Sequence, residues 1–552
     1  MHAGYSGLLA FLARKKSRCK LIGFRFAIPN DTIHSTLLHI KIEIMKKVIL
    51  ILVIVLSGFS LTAQEKTLPI FIKDSLDTYI DKGMRDWKIP GLSVAIVKDD
   101  QVVYLKGFGV SSMNSNEPVN ENTLFMIGSN TKAFTATTLS ILQESTDFKL
   151  SDKVKKWMPE FRLKDSLATK EVNIIDLLSH RIGFETFQGD FTYWKSNLTR
   201  AQVIQKMRLI EAPYGFRSKL GYCNAAFVTA GEIIPRIIGR SWEETVKDSI
   251  LVPLHMKRTL MLAQEFEKAS NAASPHTIVD NKLIEIPIPD MNNLAPAGSM
   301  SSSAKDMTNW LLAQINSGRI NDEQVLSVES LQAIRRPSSI WGVDSRDSQD
   351  THFYLYGMGL IINDRDGKLV YSHGGAVDGF HSQVMFVPEE NLGIVVLTNT
   401  DKNNFYDDLT NEIRDAFLSL PYKGHSYTSL KNFKADELNK NNKIDSLKHI
   451  VKLNNSSSLP IDAYTGDYEN GVYGKINVKL EENKLNIYFS NHPDLIGKLE
   501  HIQNDNYLCT YTMPNMGTVE IPFKIENNKV IGLTLSVDDS IEFTPYEFKK
   551  TN

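Results

Sequence analysis

The sequence is poor in cysteine, with three in 552 residues and no C-x-x-C pair, which excludes a disulfide-stapled scaffold and a cysteine-rich zinc site. No H-E-x-x-H stretch occurs and the 13 histidines are scattered singly, so no zincin-type protease is readable. Neither sign of charge dominates: 62 Lys and Arg face 64 Asp and Glu, which leaves no strong field for generic nucleic-acid binding. A G-x-S-x-G elbow, the usual signature of α/β-hydrolases, is absent. No apolar run reaches the roughly 20 residues of a membrane-spanning helix. What remains is an ordinary globular composition, 42% hydrophobic and 23% charged, which excludes a disordered or fibrous chain.

The longest apolar run, Val48 to Leu56, has the flanks of a secretory signal peptide. Met45-Lys46-Lys47 supplies the positive start and Leu61-Thr62-Ala63 a cleavage motif before Gln64. An uncleaved anchor is the alternative. Residues 1–44 are then expected to be a misassigned extension, with Met45 the true start and 45–63 the signal peptide. Export places the mature chain in the periplasm or outside the cell, without stable membrane insertion after cleavage.

Residues 64–421 read as one large α/β (α+β) unit. Ser93 to Val97 and Val102 to Lys106 form a hairpin across Lys98-Asp99-Asp100-Gln101, and Gln383 to Val387 pairs with Gly393 to Thr398. Helical patterns lie between, at Lys132 to Gln143, Ala225 to Ile238 and Asp306 to Ile315. Strands at both ends predict one sheet built from distant segments, flanked by helices, with a helical subdomain inserted. Residues 422–458, rich in Lys and Asn, read as a polar linker. From 459 to 552 the hydrophobic period becomes 2, as in Ile476, Val478 and Leu480 or Leu485, Ile487 and Phe489. Repeated antiparallel hairpins there predict a small β-barrel or sandwich.

Three stretches carry chemistry. Ser-x-x-Lys occurs three times, and only Ser129-Asn130-Thr131-Lys132 stands after a loop at the start of a helix. Residues i and i+3 share a helix face, so Lys132 can reach the Ser129 hydroxyl. Desolvation would lower the lysine pKa and let it accept a proton. Tyr222-Cys223-Asn224 precedes an apolar helix; its phenol can relay a proton, and its Asn can hold the lysine or cap the helix. His373-Gly374-Gly375 follows the strand-like Lys368 to Ser372, where two glycines allow a substrate backbone to approach. The Ala376 N–H would then be an oxyanion donor beside that of Ser129.

In this order the three stretches resemble the serine penicillin-recognising superfamily, most closely its class C β-lactamase-like branch with D-aminopeptidases and family VIII esterases. Pro90 to Ala95, Leu177 to Gly183, Pro296 to Met300 and Tyr356 to Leu360 look like that family too. The tail from Tyr464 to Phe548 resembles the lipocalin-like domain appended to such hydrolases. The resemblance implies Ser129 as acylated nucleophile, with Lys132 and Tyr222 sharing the acid–base work in an order left open. It implies that Asn224, His373, Gly374, Gly375 and Ala376 bind substrate. No metal or organic cofactor is required by these roles. Position 373 is His where true lactamases carry Lys, and 374 is Gly where they carry a hydroxyl residue. If His373 must be charged to hold a substrate carboxylate, affinity should weaken as pH rises through about 6.5. The expected activity is hydrolysis of small esters or amides, D-amino-acid peptides among them, through an acyl-enzyme. The alternatives are a true β-lactamase and a non-hydrolytic penicillin-binding or sensing protein.

Overall fold

The computed structural model describes residues 38, 41–49, 68–321, 323–342 and 351–551. The chain divides into two units, 1–68 and 69–552. In the first, residues 41–49 are helical and exposed. The expected extension 1–44 and signal peptide 45–63 otherwise lie outside the described residues. Among the described residues no helix is long and apolar enough to cross a membrane.

The second unit is built on an eight-stranded antiparallel sheet. Its strands are β1 (Gly91–Lys98), β2 (Gln101–Gly109), β3 (Ser339–Gly342), β4 (Tyr354–Tyr356), β5 (Ile361–Arg365), β6 (Lys368–Val377), β7 (Phe380–Val387) and β8 (Leu392–Thr398). The spatial order is β2-β1-β8-β7-β6-β5-β4-β3, so strands from the two ends of the domain meet at β1 and β8. The β1–β2 turn is made by Asp99 and Asp100, both at positive φ, which suits the right-handed twist of a tight hairpin. β1 and β8 are buried almost throughout, as expected of central strands covered on both faces.

Five helices frame the sheet and the site: α1 (Leu76–Trp87), α2 (Thr131–Ser145), α3 (Asn224–Ile238), α4 (Ala304–Ile315) and α5 (Phe405–Phe417). α4 packs on β1 and β8, and α5 on β7 and β8. α2 is buried on nearly every side, and Phe134 stacks on Trp310 of α4 with centroids 4.2 Å apart. α3 ends where Gly239 takes a left-handed conformation that a side chain would resist.

Two sequence expectations change here. The strand carrying His373 does not stop at Ser372. β6 runs on to Val377, pairing Gly374 with Gln383 and Gly375 with Ser382. Two consecutive glycines lower strand propensity, but continuous pairing with β7 holds the backbone extended. The segment 422–458, expected to be a polar linker, contains a 28-residue helix, α6 (His425–Lys452). No Gly or Pro interrupts that stretch, and Asp436 and Glu437 stand four and three positions before Lys440, which supports a solvated helix. α6 touches both neighbouring parts of the chain. Trp87 Nε1 donates to Ser426 Oγ at 2.9 Å, and Lys440 pairs with Asp538.

Beyond α6 the chain closes an antiparallel barrel of eight strands. They are β9 (Gly466–Asn470), β10 (Gly474–Glu481), β11 (Lys484–Phe489), β12 (His492–Gln503), β13 (Asn506–Tyr511), β14 (Thr518–Glu526), β15 (Lys529–Leu535) and β16 (Tyr546–Thr551). Ile476, Val478, Leu485 and Ile487 point inward, as alternation requires, and Tyr464, Tyr507 and Phe523 fill one end with centroids 5.1–5.3 Å apart. Tyr468-Glu469-Asn470, a second Tyr-x-Asn, is simply part of β9; its Tyr hydroxyl donates to the Tyr464 carbonyl at 2.6 Å.

Candidate active site

Ser129 lies in a single 3₁₀ turn, Gly128–Asn130, that leads directly into α2. The turn is pinned from β7. Ser382 Oγ donates to the Ile127 carbonyl at 2.9 Å and accepts from Asn130 Nδ2 at 2.9 Å, so both neighbours of the Gly128-Ser129 pair are held by one hydroxyl. The turn also presses on β6. A Cβ on Gly375 would lie 1.9 Å from the Ile127 carbonyl oxygen, and one on Gly128 would lie 2.7 Å from the Ala376 nitrogen. The two glycines therefore permit the backbone approach that brings the Ser129 turn beside Ala376.

Lys132, one turn into α2, is wholly buried. Its Nζ lies 3.0 Å from Ser129 Oγ, 2.6 Å from Asn224 Oδ1 and 2.9 Å from the Ala297 carbonyl. Burial pulls its pKa down to about 7, against the opposing influence of Asp190 and Cys223. A neutral amine has two N–H donors and one lone pair. The Asn224 and Ala297 oxygens can only accept, so they take both donors and leave the lone pair facing the Ser129 hydroxyl.

The orientation of Asn224 is fixed from its other end. Nδ2 donates to Asp190 Oδ2 at 2.7 Å and to the Tyr193 hydroxyl at 2.9 Å. Asn224 is thus the first residue of α3 and no helix cap; its side chain is committed to Lys132 and Asp190. Asp190 is buried, and burial raises its pKa well above the carboxylate range, with Glu542 adding to the rise. Neither Asp190 nor Tyr193 stands in a recognisable motif, and sequence reading missed both.

Tyr222 packs its ring 4.7 Å from Lys132 Nζ and 4.1 Å from the His180 ring. Its hydroxyl is buried and has no hydrogen-bond partner among the described residues; Ser129 is the neighbour that favours its ionised form. Burial outweighs that and pushes the phenol pKa up, so the hydroxyl keeps its proton at neutral pH.

His373 is placed differently from expectation. It is buried, and a chain of hydrogen bonds fixes its tautomer. The Cys223 N–H donates to His180 Nδ1 at 3.0 Å, His180 Nε2 meets the Tyr356 hydroxyl at 3.2 Å, and that hydroxyl meets His373 Nε2 at 3.0 Å. His373 Nδ1 closes the chain on the Gly374 carbonyl at 2.6 Å. With an amide donor at one end and a carbonyl acceptor at the other, the proton order that satisfies every member has both imidazoles neutral. Burial, reinforced by Lys132, lowers the His373 pKa to about 3. His373 is therefore no cationic clamp for a carboxylate. Its role in this arrangement is to brace Tyr356 and, through it, His180 beneath Tyr222. Gly374 faces the other side of the sheet, toward Gln383 and Tyr406.

A further element comes from the barrel. Glu542 is buried between the two domains and accepts from the Gly189 N–H at 2.6 Å and the Phe191 N–H at 3.1 Å, the amides on either side of Asp190. Tyr546 donates to the same carboxylate at 2.8 Å, and Tyr473 donates as well. Among the described residues no group of three or more His, Cys, Asp or Glu side chains is arranged to hold a metal ion.

The chain matches the family described as Beta-lactamase over residues 76–418, and a second described as Domain of unknown function (DUF3471) over 452–550. Among curated proteins it is similar to Unguisins hydrolase ungD of Aspergillus violaceofuscus (strain CBS 115571), with 25% identity over 479 residues, 79% of this chain and 83% of that one. Protein flp of Staphylococcus aureus (strain COL) is 27% identical over 333 residues, 59% of this chain and 63% of its own. Among solved structures, the octameric penicillin-binding protein homologue from Pyrococcus abyssi superposes with a TM-score of 0.56 and 23% identity, covering 86% of this chain and 99% of its own. D-amino acid amidase from Ochrobactrum anthropi SV3 gives 0.52 and 20% over 63% of this chain and 98% of its own. At these identities the superpositions speak to fold.

Proposed function

We propose that this chain, which belongs to the Beta-lactamase family and is a serine hydrolase, is exported and cleaves small esters or amides through an acyl-Ser129 intermediate, with D-amino-acid-containing peptides as its substrate class. The observation that carries the reading is the Lys132 amine, buried, near neutrality and aimed by two fixed acceptors at the Ser129 hydroxyl.

In this mechanism Lys132 takes the Ser129 proton as Oγ bonds to the substrate carbonyl carbon. The carbonyl oxygen becomes an oxyanion between the Ser129 and Ala376 N–H groups, where one donor is worth about 2.7–4 kcal/mol. As the oxyanion re-forms the carbonyl, the bond from its carbon to the leaving oxygen or nitrogen breaks; Tyr222 passes its proton to that leaving atom and recovers one from Lys132. Water then attacks the acyl group, Lys132 accepts its proton, and Ser129 leaves protonated. The two groups divide the work by their pKa values: the amine near 7 suits a base, while the buried phenol holds its proton for a leaving group. Asn224 positions Lys132, and Gly375 and Ala376 offer strand backbone to the substrate.

Support for a D-amino-acid substrate comes from the name of one structural neighbour, a D-amino acid amidase. Export rests on the sequence from Met45 to Ala63. The neutral His373 favours substrates without an obligatory carboxylate and so places β-lactam turnover below ester or amide cleavage. The test is a Ser129→Ala variant, which should lose labelling by an active-site serine reagent. Stoichiometric labelling of that variant refutes the assignment. A panel of p-nitrophenyl esters, D- and L-aminoacyl anilides and nitrocefin then ranks the substrates; faster turnover of nitrocefin or of L-anilides overturns the substrate class.

A further inference from the structure

The barrel reaches the catalytic neighbourhood at Phe191, on which Tyr473, Phe489 and His492 pack, and through the segment Ile541 to Thr544. Glu542 anchors it on the Gly189 and Phe191 amides, and Thr544 Oγ1 meets Glu185 Oε2 at 3.3 Å. Between these anchors Phe543 stacks on Phe187 of the hydrolase domain, centroids 5.8 Å apart and planes 24° from parallel. Phe187 in turn meets Tyr222 edge-on at 5.7 Å. Trp341 is also beside Tyr222, at 6.1 Å.

Two features set this cluster apart from ordinary interdomain packing. Phe187 sits at φ 63°, a left-handed conformation that is a genuine outlier for a bulky residue and costs on the order of 1–3 kcal/mol. It is held there by its N–H, which donates to the Tyr222 carbonyl at 2.8 Å. And Phe543, despite its stack, remains 54% exposed, as Trp341 remains 44% exposed. A ring serving only to glue domains would be buried. These exposed rings flank Tyr222 directly or through Phe187, and the Tyr222 hydroxyl is buried without a hydrogen-bond partner among the described residues.

We infer that Phe187, Phe543 and Trp341 form an apolar wall for the leaving group of the substrate, so that the barrel domain helps select substrates whose leaving part carries an aromatic or large aliphatic side chain. The inference rests on the reading that Tyr222 protonates the leaving atom. That atom must come within about 3 Å of the phenol oxygen, and whatever it carries then lies against the rings that flank Tyr222. Glu542 is a positioning residue in this scheme, since it fixes the backbone on which Phe543 is mounted.

The test compares two acetate esters whose alcohols leave with similar basicity, ethyl acetate and 2-phenylethyl acetate, on the full chain and on Phe543→Ala and Phe543→Leu. The wild type should favour the 2-phenylethyl ester in kcat/KM by about tenfold or more. Phe543→Ala should lose most of that preference and Phe543→Leu should keep part of it. Both esters are read on the same protein, so any loss of folded enzyme cancels from the ratio. An unchanged ratio in Phe543→Ala overturns the wall while leaving the hydrolase reading intact. A wild type with equal kcat/KM for the two esters also overturns the wall, whereas the hydrolase reading falls only if Ser129→Ala keeps its stoichiometric labelling.

Discussion

Gly375→Ala is the most demanding check on how the site is assembled. The new methyl carbon would start 1.9 Å from the Ile127 carbonyl oxygen and 2.4 Å from Ser382 Oγ, where real contacts are essentially never below 3.0 Å. Relief therefore requires the Ile127 carbonyl to retreat from β6 by about 1 Å, and Ser129 is two residues further along the same turn. A displacement of that size at a nucleophile costs about a hundredfold in rate. Overpacking should also cost about 1–3 kcal/mol of stability, so melting must be followed beside activity. The assay is kcat/KM for p-nitrophenyl acetate, with two glycine controls. Gly374→Ala places its methyl 3.1 Å from the flexible Gln383 side chain on the other face and should cost at most a few-fold. Gly471→Ala meets nothing within 4 Å and should behave as wild type. A folded Gly375→Ala enzyme with wild-type kcat/KM would show that the contact between the Ser129 turn and β6 does not set the geometry of the nucleophile.

Because Lys132 must be unprotonated to act and its pKa lies near 7, kcat/KM should rise with pH through about 7. The raised Tyr222 phenol pKa removes a descending limb below pH 10, so a bell centred near neutrality would contradict the division of roles. His373, with its pKa near 3, is already neutral at pH 5. KM for an acidic substrate should therefore be insensitive to His373 titration between pH 5 and 8, and a step near 6.5 would restore the cationic role. Asn224→Leu removes the link between Lys132 and Asp190 and leaves both buried. Activity should fall at least tenfold and urea-induced unfolding should show a loss of about 1–3 kcal/mol; unchanged stability would mean the amide network is dispensable. Glu542→Leu strands the Gly189 and Phe191 amides and should destabilise by a similar amount, with Glu542→Gln losing less.

Much of this architecture was written locally. The hairpins β1–β2 and β7–β8 announce themselves through β-branched runs and polar turn residues. Ser129, Lys132, Tyr222 and Asn224 stand in short patterns that place them at helix starts. Other features depend on burial, which sequence alone does not display. The charge of His373 is decided by Tyr356 and by desolvation, so its residue type suggested a clamp that the fold does not support. The second half of β6 was invisible because Gly374 and Gly375, the second of which admits the Ser129 turn, suppress strand propensity. α2 shows mixed apolar spacing because it is buried all round and needs no single stripe. Register shifts had a similar effect in the barrel. The irregularity at Lys524 and Ile525 leaves Val530 buried and Ile531 only half-buried, which interrupts the period of 2 on that hairpin. Asp190, Tyr193, Ser382 and Glu542 carry no pattern at all, since each acts across a long stretch of chain.

The helical character of α6 has a mechanical consequence. A slack tether tolerates insertions, but a helix is threaded like a screw. One added residue turns everything downstream by about 100° and advances it by about 1.5 Å. Since α6 is gripped at its start by Trp87 and further along by Asp538, the angular phase between the two halves of the molecule is cut into its pitch. Evolutionary or engineered changes in its length should then come in whole turns, about three or four residues at a time, if the C-terminal domain is to keep its hold on the Asp190 loop.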